Sequence, residues 1–194
     1  MSVRFMENTR RSFRRTRRLS ERRLVSGDIR LLKHIDRREV IDEFYRVQDG
    51  QLLLYPQHEV VSGWPAGEAE RDEEILQACY ERGGWLYGVF DGETLVAAAV
   101  VDCEIIHNAG LSLLQLKFLH VSRDYRGLGL GQRLFRLACQ QAMATGTEAL
   151  YVSATPSRNT VDFYRRQGCA LLDTPDPQLY QLEPEDIHLF FKST

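Results

Sequence analysis

The spacing of apolar and polar residues divides the chain into helix-period and strand-period stretches. Val40, Ile41, Phe44, Tyr45 and Gln48 continue as one helical face, with Asp36 and Glu39 as a capping pair ahead of it and Asp49 and Gly50 as its stop, so a first helix is expected there. Residues 55–70 hold Pro56, Gly63, Pro65 and Gly67 and read as a long loop; residues 71–82 return to helical spacing with Ile75, Leu76 and Cys79 inward. Residues 85–90 and 94–106 are rich in branched and aromatic side chains, and Asp91 with Gly92 between them marks a hairpin turn. A second reversal at 107–110 leads into a strand at 111–121. A helix with the stripe Leu130, Leu134, Leu137 and Ala138 comes next, then a strand at 147–154, another helix, and closing strands at 169–173 and 187–192. The stretch 174–184, with three prolines, reads as a loop. This order predicts an α/β domain built on a mixed sheet.

Composition fits one domain of ordinary size: 194 residues, 43% of them hydrophobic, suffice for a substantial core. No apolar stretch approaches bilayer-crossing length. Cys79, Cys103, Cys139 and Cys169 are scattered, without C-x-x-C spacing or a nearby His pair, so neither a metal site nor a disulfide framework is indicated. Reduced thiols packed as small hydrophobes and a cytoplasmic location are the expectation. Charge is uneven. Residues 1–24 carry nine Arg against Glu7 and Glu21, a formal +7 that leaves −9 on the remainder. Such a segment has too little apolar surface to bury and reads as a disordered arm ahead of a domain at 28–194. It could contact nucleic acid or an anionic surface, serve as a targeting segment, or be a dispensable extension.

Between the strand at 111–121 and the helical stripe lies Arg126, Gly127, Leu128, Gly129, Leu130, Gly131: strand, glycine turn, helix. The first amides of a helix lack intrahelical partners and its dipole is positive there, so such a turn can hold a phosphate by backbone alone; it can also be an ordinary strand-to-helix turn. Two phosphate motifs are excluded. Position 132 is Gln, which breaks G-x-G-x-x-G, and no G-x-x-x-x-G-K-[ST] occurs.

The remaining hexad, R-x-x-G-x-G, closely resembles the acyl-CoA pyrophosphate loop of the GNAT superfamily of N-acetyltransferases. Leu119, His120 and Val121 precede it at the family's spacing, and Asn159 to Tyr164 with Gln167 and Gly168 resemble the family's N-x-x-x-x-Y-x-x-x-G helix. The resemblance implies a mixed, mostly antiparallel central sheet with helices on both faces, and acetyl-CoA as co-substrate without a metal. It also implies an acetyl group passed by direct attack to a primary amine of a small molecule or peptide. In related enzymes the strands matching 111–121 and 147–154 diverge, and main chain at the positions of Leu119 and Val121 pairs with the pantetheine arm. Amides from Gly127 to Gly131 would hold the pyrophosphate, and Arg126 could pair with it or simply close the turn. Asn159 resembles the residue that bonds the pantetheine arm, but in a first helical turn it could be a capping aid. Tyr164 matches the position usually assigned protonation of the departing thiolate; the alternative is an aromatic residue completing a helix face. The oxyanion would meet the amide near Leu119.

The general base departs from the family pattern. Where protein-acetylating members often carry a glutamate, this chain has Gln115, which takes no proton at neutral pH. If the 107–110 turn pairs Ile106 with Leu111, Asp102 faces Gln115 and Glu104 shares its sheet face. Asp102, Glu104, His120 and ordered water all stay open, with His120 also readable as an ordinary strand residue. Glu43, Tyr45, His58, Glu59 and Trp64 fall in segments that shape the acceptor side in related proteins, and the acidic remainder favours a cationic amine. A homodimer, a catalytically silent acyl-CoA-binding module, and a nucleic-acid-binding protein using its Arg-rich arm are the other readings.

Overall fold

The computed structural model describes residues 18–192. A seven-stranded sheet runs in the order β1, β4, β5, β6, β7, β9, β8: Leu19–Arg23, Trp85–Asp91, Thr94–Asn108, Leu111–Val121, Ala149–Ala154, Ile187–Lys192 and Ala170–Leu171. Every neighbouring pair is antiparallel except β6 with β7. Four α-helices complete it: α1 (Glu68–Glu81), α2 (Leu130–Ala144), α3 (Arg158–Arg166) and α4 (Pro177–Leu182).

The sheet is covered on both faces, which is why its central strands read as nearly continuous apolar runs. Along β5, Ala97, Ala99 and Val101 join a core with Leu134, Phe135 and Ala138 of α2 and Val161 and Tyr164 of α3. Ala98 and Val100 point the other way, to Leu76 and Cys79 of α1 and to Ile29 and Leu32 of a 3-10 helix at Ser26–His34. Among the described residues no helix is long and apolar enough to cross a membrane.

Four expectations change. Residues 39–48 are a strand, β2 (Glu39–Gln48), paired with β3 (Gln51–Val61). Asp49 and Gly50, read as a helix stop, both have positive φ (51° and 71°) and form the two-residue turn of this hairpin, which suits strands carrying Val40, Ile41, Val47, Val60 and Val61. Much of the expected loop at 55–70 is thus strand. The hairpin stays outside the main sheet and docks on the start of α3, where Phe44 bridges Ser157 and Tyr45 N–H donates to the Pro156 carbonyl at 2.8 Å. Second, Leu19–Arg23 of the basic segment is an edge strand paired with β4, so the domain begins before residue 28; residues 1–17, and with them most of the Arg-rich arm, lie outside the described residues. Third, α4 interrupts the proline-containing stretch: Pro177 occupies its first turn and Asp176 caps it, accepting from the amides of Gln178 and Leu179. Fourth, the β5–β6 turn pairs Asn108 with Leu111 rather than Ile106 with Leu111, around Ala109 and Gly110, both at positive φ.

Candidate active site

The β6–β7 ladder pairs Leu113 to Leu116 with Ala149 to Val152 and then stops. At the same level Lys117 is an extra residue on β6, between Leu116 opposite Val101 and Phe118 opposite Val100. A bulge bends its strand and exchanges the faces of the residues beyond it. Leu114 and Leu116 therefore enter the core under α2, Phe118 and His120 turn to the opposite face beside Trp64, and Leu119 and Val121 border the first core. Beyond Leu116, main chain of β6 on the β7 side has no strand partner among the described residues, and the two strands part around a cleft of about 1300 Å³.

At one end of the cleft β6 passes through Arg123–Tyr125 into the glycine turn. Gly127 (φ 76°) and Gly129 (φ 80°) hold the left-handed backbone conformation, and a Cβ on either would meet nothing within 4 Å, so conformation rather than crowding selects glycine. Gly129 caps α2, no side chain among the described residues bonds the helix's first amides, and Gly129 to Gln132 line the cleft. On the other wall Ser157 caps α3, accepting from Thr160 N–H, so Asn159 is not the capping residue. Its side chain instead donates to Glu39 of β2 at 3.0 Å, and the other Glu39 oxygen pairs with Arg126 at 3.3 Å. Arg126 also donates to the Val121 carbonyl at 3.1 Å. Residues far apart in the chain thus meet through one carboxylate.

Of the positions expected to hold the phosphate and pantetheine, Leu119, His120, Val121, Arg126, Gly127, Gly129, Leu130, Gly131 and Asn159 line this cleft, as does Tyr164; Leu128 does not, its side chain being exposed. Tyr164 is buried against Phe135 and Phe163, with ring centroids 5.7 and 5.1 Å away. Burial raises its phenol, keeping it protonated at neutral pH. Among the described residues its hydroxyl has no hydrogen-bond partner.

The structure separates the candidate bases. Two extra residues in β5 between Val101 and Ile105 offset the shorter turn, and Asp102 ends beside Gln115 after all: Lys117 Nζ lies 3.0 Å from both Asp102 Oδ2 and Gln115 Oε1. Arg82 adds a second cation, 3.1 Å from Asp102 and 3.0 Å from Glu104. Burial works against the Asp102 charge, but Lys117, the Cys103 amide and Arg82 together hold its carboxyl below the ordinary range. His120 is driven the other way: burial, with the charges of Arg37 and Arg126, pushes its imidazole down to about 3. Both are poorly matched to taking a proton at neutral pH.

Of the segments expected to shape the acceptor side, His58 pairs with Asp42 on the exposed hairpin, Glu43 pairs with Arg158, and Tyr45 donates to Asp162 at 2.9 Å. Trp64 stacks over Phe118 and donates to the Ile35 carbonyl at 3.0 Å. The cleft is lined instead by α1 and by the chain between α4 and β9, with Glu68, Asp72, Glu183, Glu185 and Asp186. Asp186 was missed because a lone acid before a strand has no sequence signature. Ser153, at the parting of the strands, carries a buried hydroxyl with no partner among the described residues.

Residues 45–169 match the model of the acetyltransferase (GNAT) family, a segment holding the parted strands, the glycine turn and Tyr164. The chain belongs to this family. A GNAT relative from Danio rerio, N-alpha-acetyltransferase 50, is 26% identical over 100 residues, half of this chain and 60% of the relative's length. Among solved GNAT folds, nourseothricin acetyltransferase superposes with a TM-score of 0.66 at 19% identity, over 91% of this chain and 99% of its own. PaiA N-acetyltransferase from Thermoplasma acidophilum, solved in complex with coenzyme A, gives 0.58 at 15% identity over 91% and 99%. At these identities the likeness establishes the fold.

Proposed function

We propose that the protein is an acetyl-CoA-dependent N-acetyltransferase acting on a primary amine of a cationic small molecule or peptide. The observation that carries this reading is the opening of the β6–β7 ladder beyond Leu116 in the same cleft as the start of α2, whose cap Gly129 offers no side chain to the first amides. An extended acyl-carrier arm needs unpaired strand main chain, and its diphosphate needs free amides at a helix start; the cleft offers both along one line. The orphaned Ser153 hydroxyl and the Asn159 amide supply polar contacts along that line. Acetyl-CoA would bring the thioester. The chain's own part is to orient it along β6, to direct an amide near Leu119 at the carbonyl oxygen, and to hold the Tyr164 phenol where a departing thiolate needs a proton.

Acidic groups favour a cationic acceptor. Desolvation raises the Asp72 carboxyl, and the negative charges of Glu68 and Glu183 raise it further, which places acids from α1 and from the segment after α4 within reach of each other across the cleft. A positively charged amine relieves that repulsion.

Calorimetric titration with acetyl-CoA, followed by thiol release against nourseothricin, spermidine and peptides with a free α-amino group, tests the proposal. Binding with turnover is the expected result. Binding without turnover of any amine would favour a silent acyl-CoA module, and no binding would remove the reading altogether. Gly129→Val should weaken acetyl-CoA binding by at least about tenfold, since a β-branched residue at φ 80° costs on the order of 1–2 kcal/mol and displaces the first amides of α2. Arg126→Ala should weaken it less, because Arg126 must first leave Glu39.

A further inference from the structure

The acceptor amine arrives protonated, and Gln115 cannot receive its proton. We propose that Asp186 takes it, an assignment that rests on the N-acetyltransferase reading. Four observations converge on this carboxylate. It lines the same cleft as Tyr164 and Leu119, and its charge is close enough to raise the Tyr164 phenol. Among the described residues it has no ion-pair or side-chain hydrogen-bond partner, whereas Asp102 is held by Lys117 and Arg82, Glu39 by Arg126 and Asn159, and Glu68 by Arg37. Its main chain is fixed at both ends. The Asp186 amide donates to the Glu183 carbonyl at 3.2 Å, and the next residue, Ile187, begins the pairing of β9 with Ala154 of β7.

The fourth observation is a buried relay behind the segment. His188 Nε2 lies 3.2 Å from the Glu183 carbonyl, so it must be the protonated nitrogen; Nδ1 then accepts from the Tyr151 hydroxyl at 2.8 Å, and that hydroxyl accepts from the Asp176 amide at 3.2 Å. Every polar group in this relay has a partner of the right kind, which holds residues 183–186 against β7. The charge acting on Asp186 is that of Glu183, on its own segment, and Asp186 in turn acts on the Tyr164 phenol of α3. Burial first, and the Glu183 charge second, push its carboxyl up to about 7, where an ionised fraction and useful basicity coexist.

The proton count closes. The R–NH3+ group gives one proton to the Asp186 carboxylate, forming the acid, and the freed lone pair forms the C–N bond at the thioester carbonyl. The C–S bond then breaks, the thiolate takes a proton from the Tyr164 phenol, and the second nitrogen proton restores the phenol as the amide forms. Asp186 returns its proton to solvent before the next cycle.

The test compares wild type with Asp186→Asn and Asp186→Glu, using acetyl-CoA with nourseothricin, spermidine and free-amine peptides from pH 6 to 9.5. In wild type, kcat/KM rises through about pH 7 as Asp186 ionises. Asp186→Asn is expected to lose about 10²- to 10³-fold at pH 7, with the deficit shrinking towards pH 9.5 as free amine becomes abundant, with acetyl-CoA binding unchanged and with partial recovery in Asp186→Glu. A deficit of constant size at every pH, or one below about threefold at pH 7, overturns the proposal. A wild type that acetylates no amine removes the N-acetyltransferase reading and leaves Asp186 no proton to take. Thermal unfolding supplies a readout independent of the acceptor. A carboxyl raised in the folded state costs stability once pH exceeds its unfolded value, and the cost is complete above the folded one. Asp186→Asn should therefore gain on wild type progressively from pH 5 to pH 8; a difference independent of pH overturns the proposal.

Discussion

Tyr164→Phe is expected to lower kcat by about 10²-fold or more while leaving acetyl-CoA affinity within a factor of about two. The ring is already part of the core: it packs edge-on against Phe135 and Phe163, and the phenylalanine ring can keep both contacts. What the substitution removes is a hydroxyl that the described residues leave without a partner and that faces the cleft. An interaction used mainly as the thiolate departs appears in kcat and hardly in ground-state binding. Stability should change little, because no buried hydrogen bond is broken. Burial raises the phenol, so its ionisation should produce no loss of rate below about pH 10. Parallel loss of binding and turnover would mean that Tyr164 is only a core residue.

The parts of the site carried by local sequence were legible. A strand, two glycines and an apolar helical stripe identify the loop because positive φ and free helix amides are properties of consecutive residues, and Gly127 and Gly129 do adopt that conformation. The α3 helix was legible from the spacing of Asn159, Tyr164 and Gly168, though its cap is Ser157 and not Asn159. What escaped was set by register. Val40, Ile41, Phe44 and Tyr45 satisfy a helical face and a strand equally over so short a span, and Asp49 with Gly50 ends either; only pairing with β3 decides. Lys117 shows no sign of being a bulge, yet its insertion turns Leu119 and Val121 towards the cleft. Glu39, Arg126 and Asn159 meet through tertiary structure alone, as Asp186 and Tyr164 come to line one cleft.

Asp102→Ala separates architecture from chemistry. Asp102 is 4% exposed and anchors Lys117 at the bulge, with Arg82 of the α1 terminus on its other side. Removing it leaves a half-buried ammonium without its counter-charge. Partial exposure of Lys117 and Arg82 moderates the penalty, so a loss of about 2–3 kcal/mol is expected, or a fall in Tm of roughly 5–10 °C. The pH dependence has a definite sign. Lys117 and Arg82 hold the Asp102 carboxyl below its unfolded value, so its contribution is complete above about pH 4 and disappears as pH falls through the folded value. Wild type and variant should therefore converge in acid and differ fully at neutral pH. The sign is opposite to that for Asp186→Asn, which gains on wild type as pH rises. Measured well below its Tm, Asp102→Ala should keep the wild-type shape of the kcat/KM pH profile, because its carboxylate is committed to Lys117. If that profile instead lost its rise near pH 7, Asp102 would be the proton acceptor and the bulge would owe its place to catalysis as well as to packing.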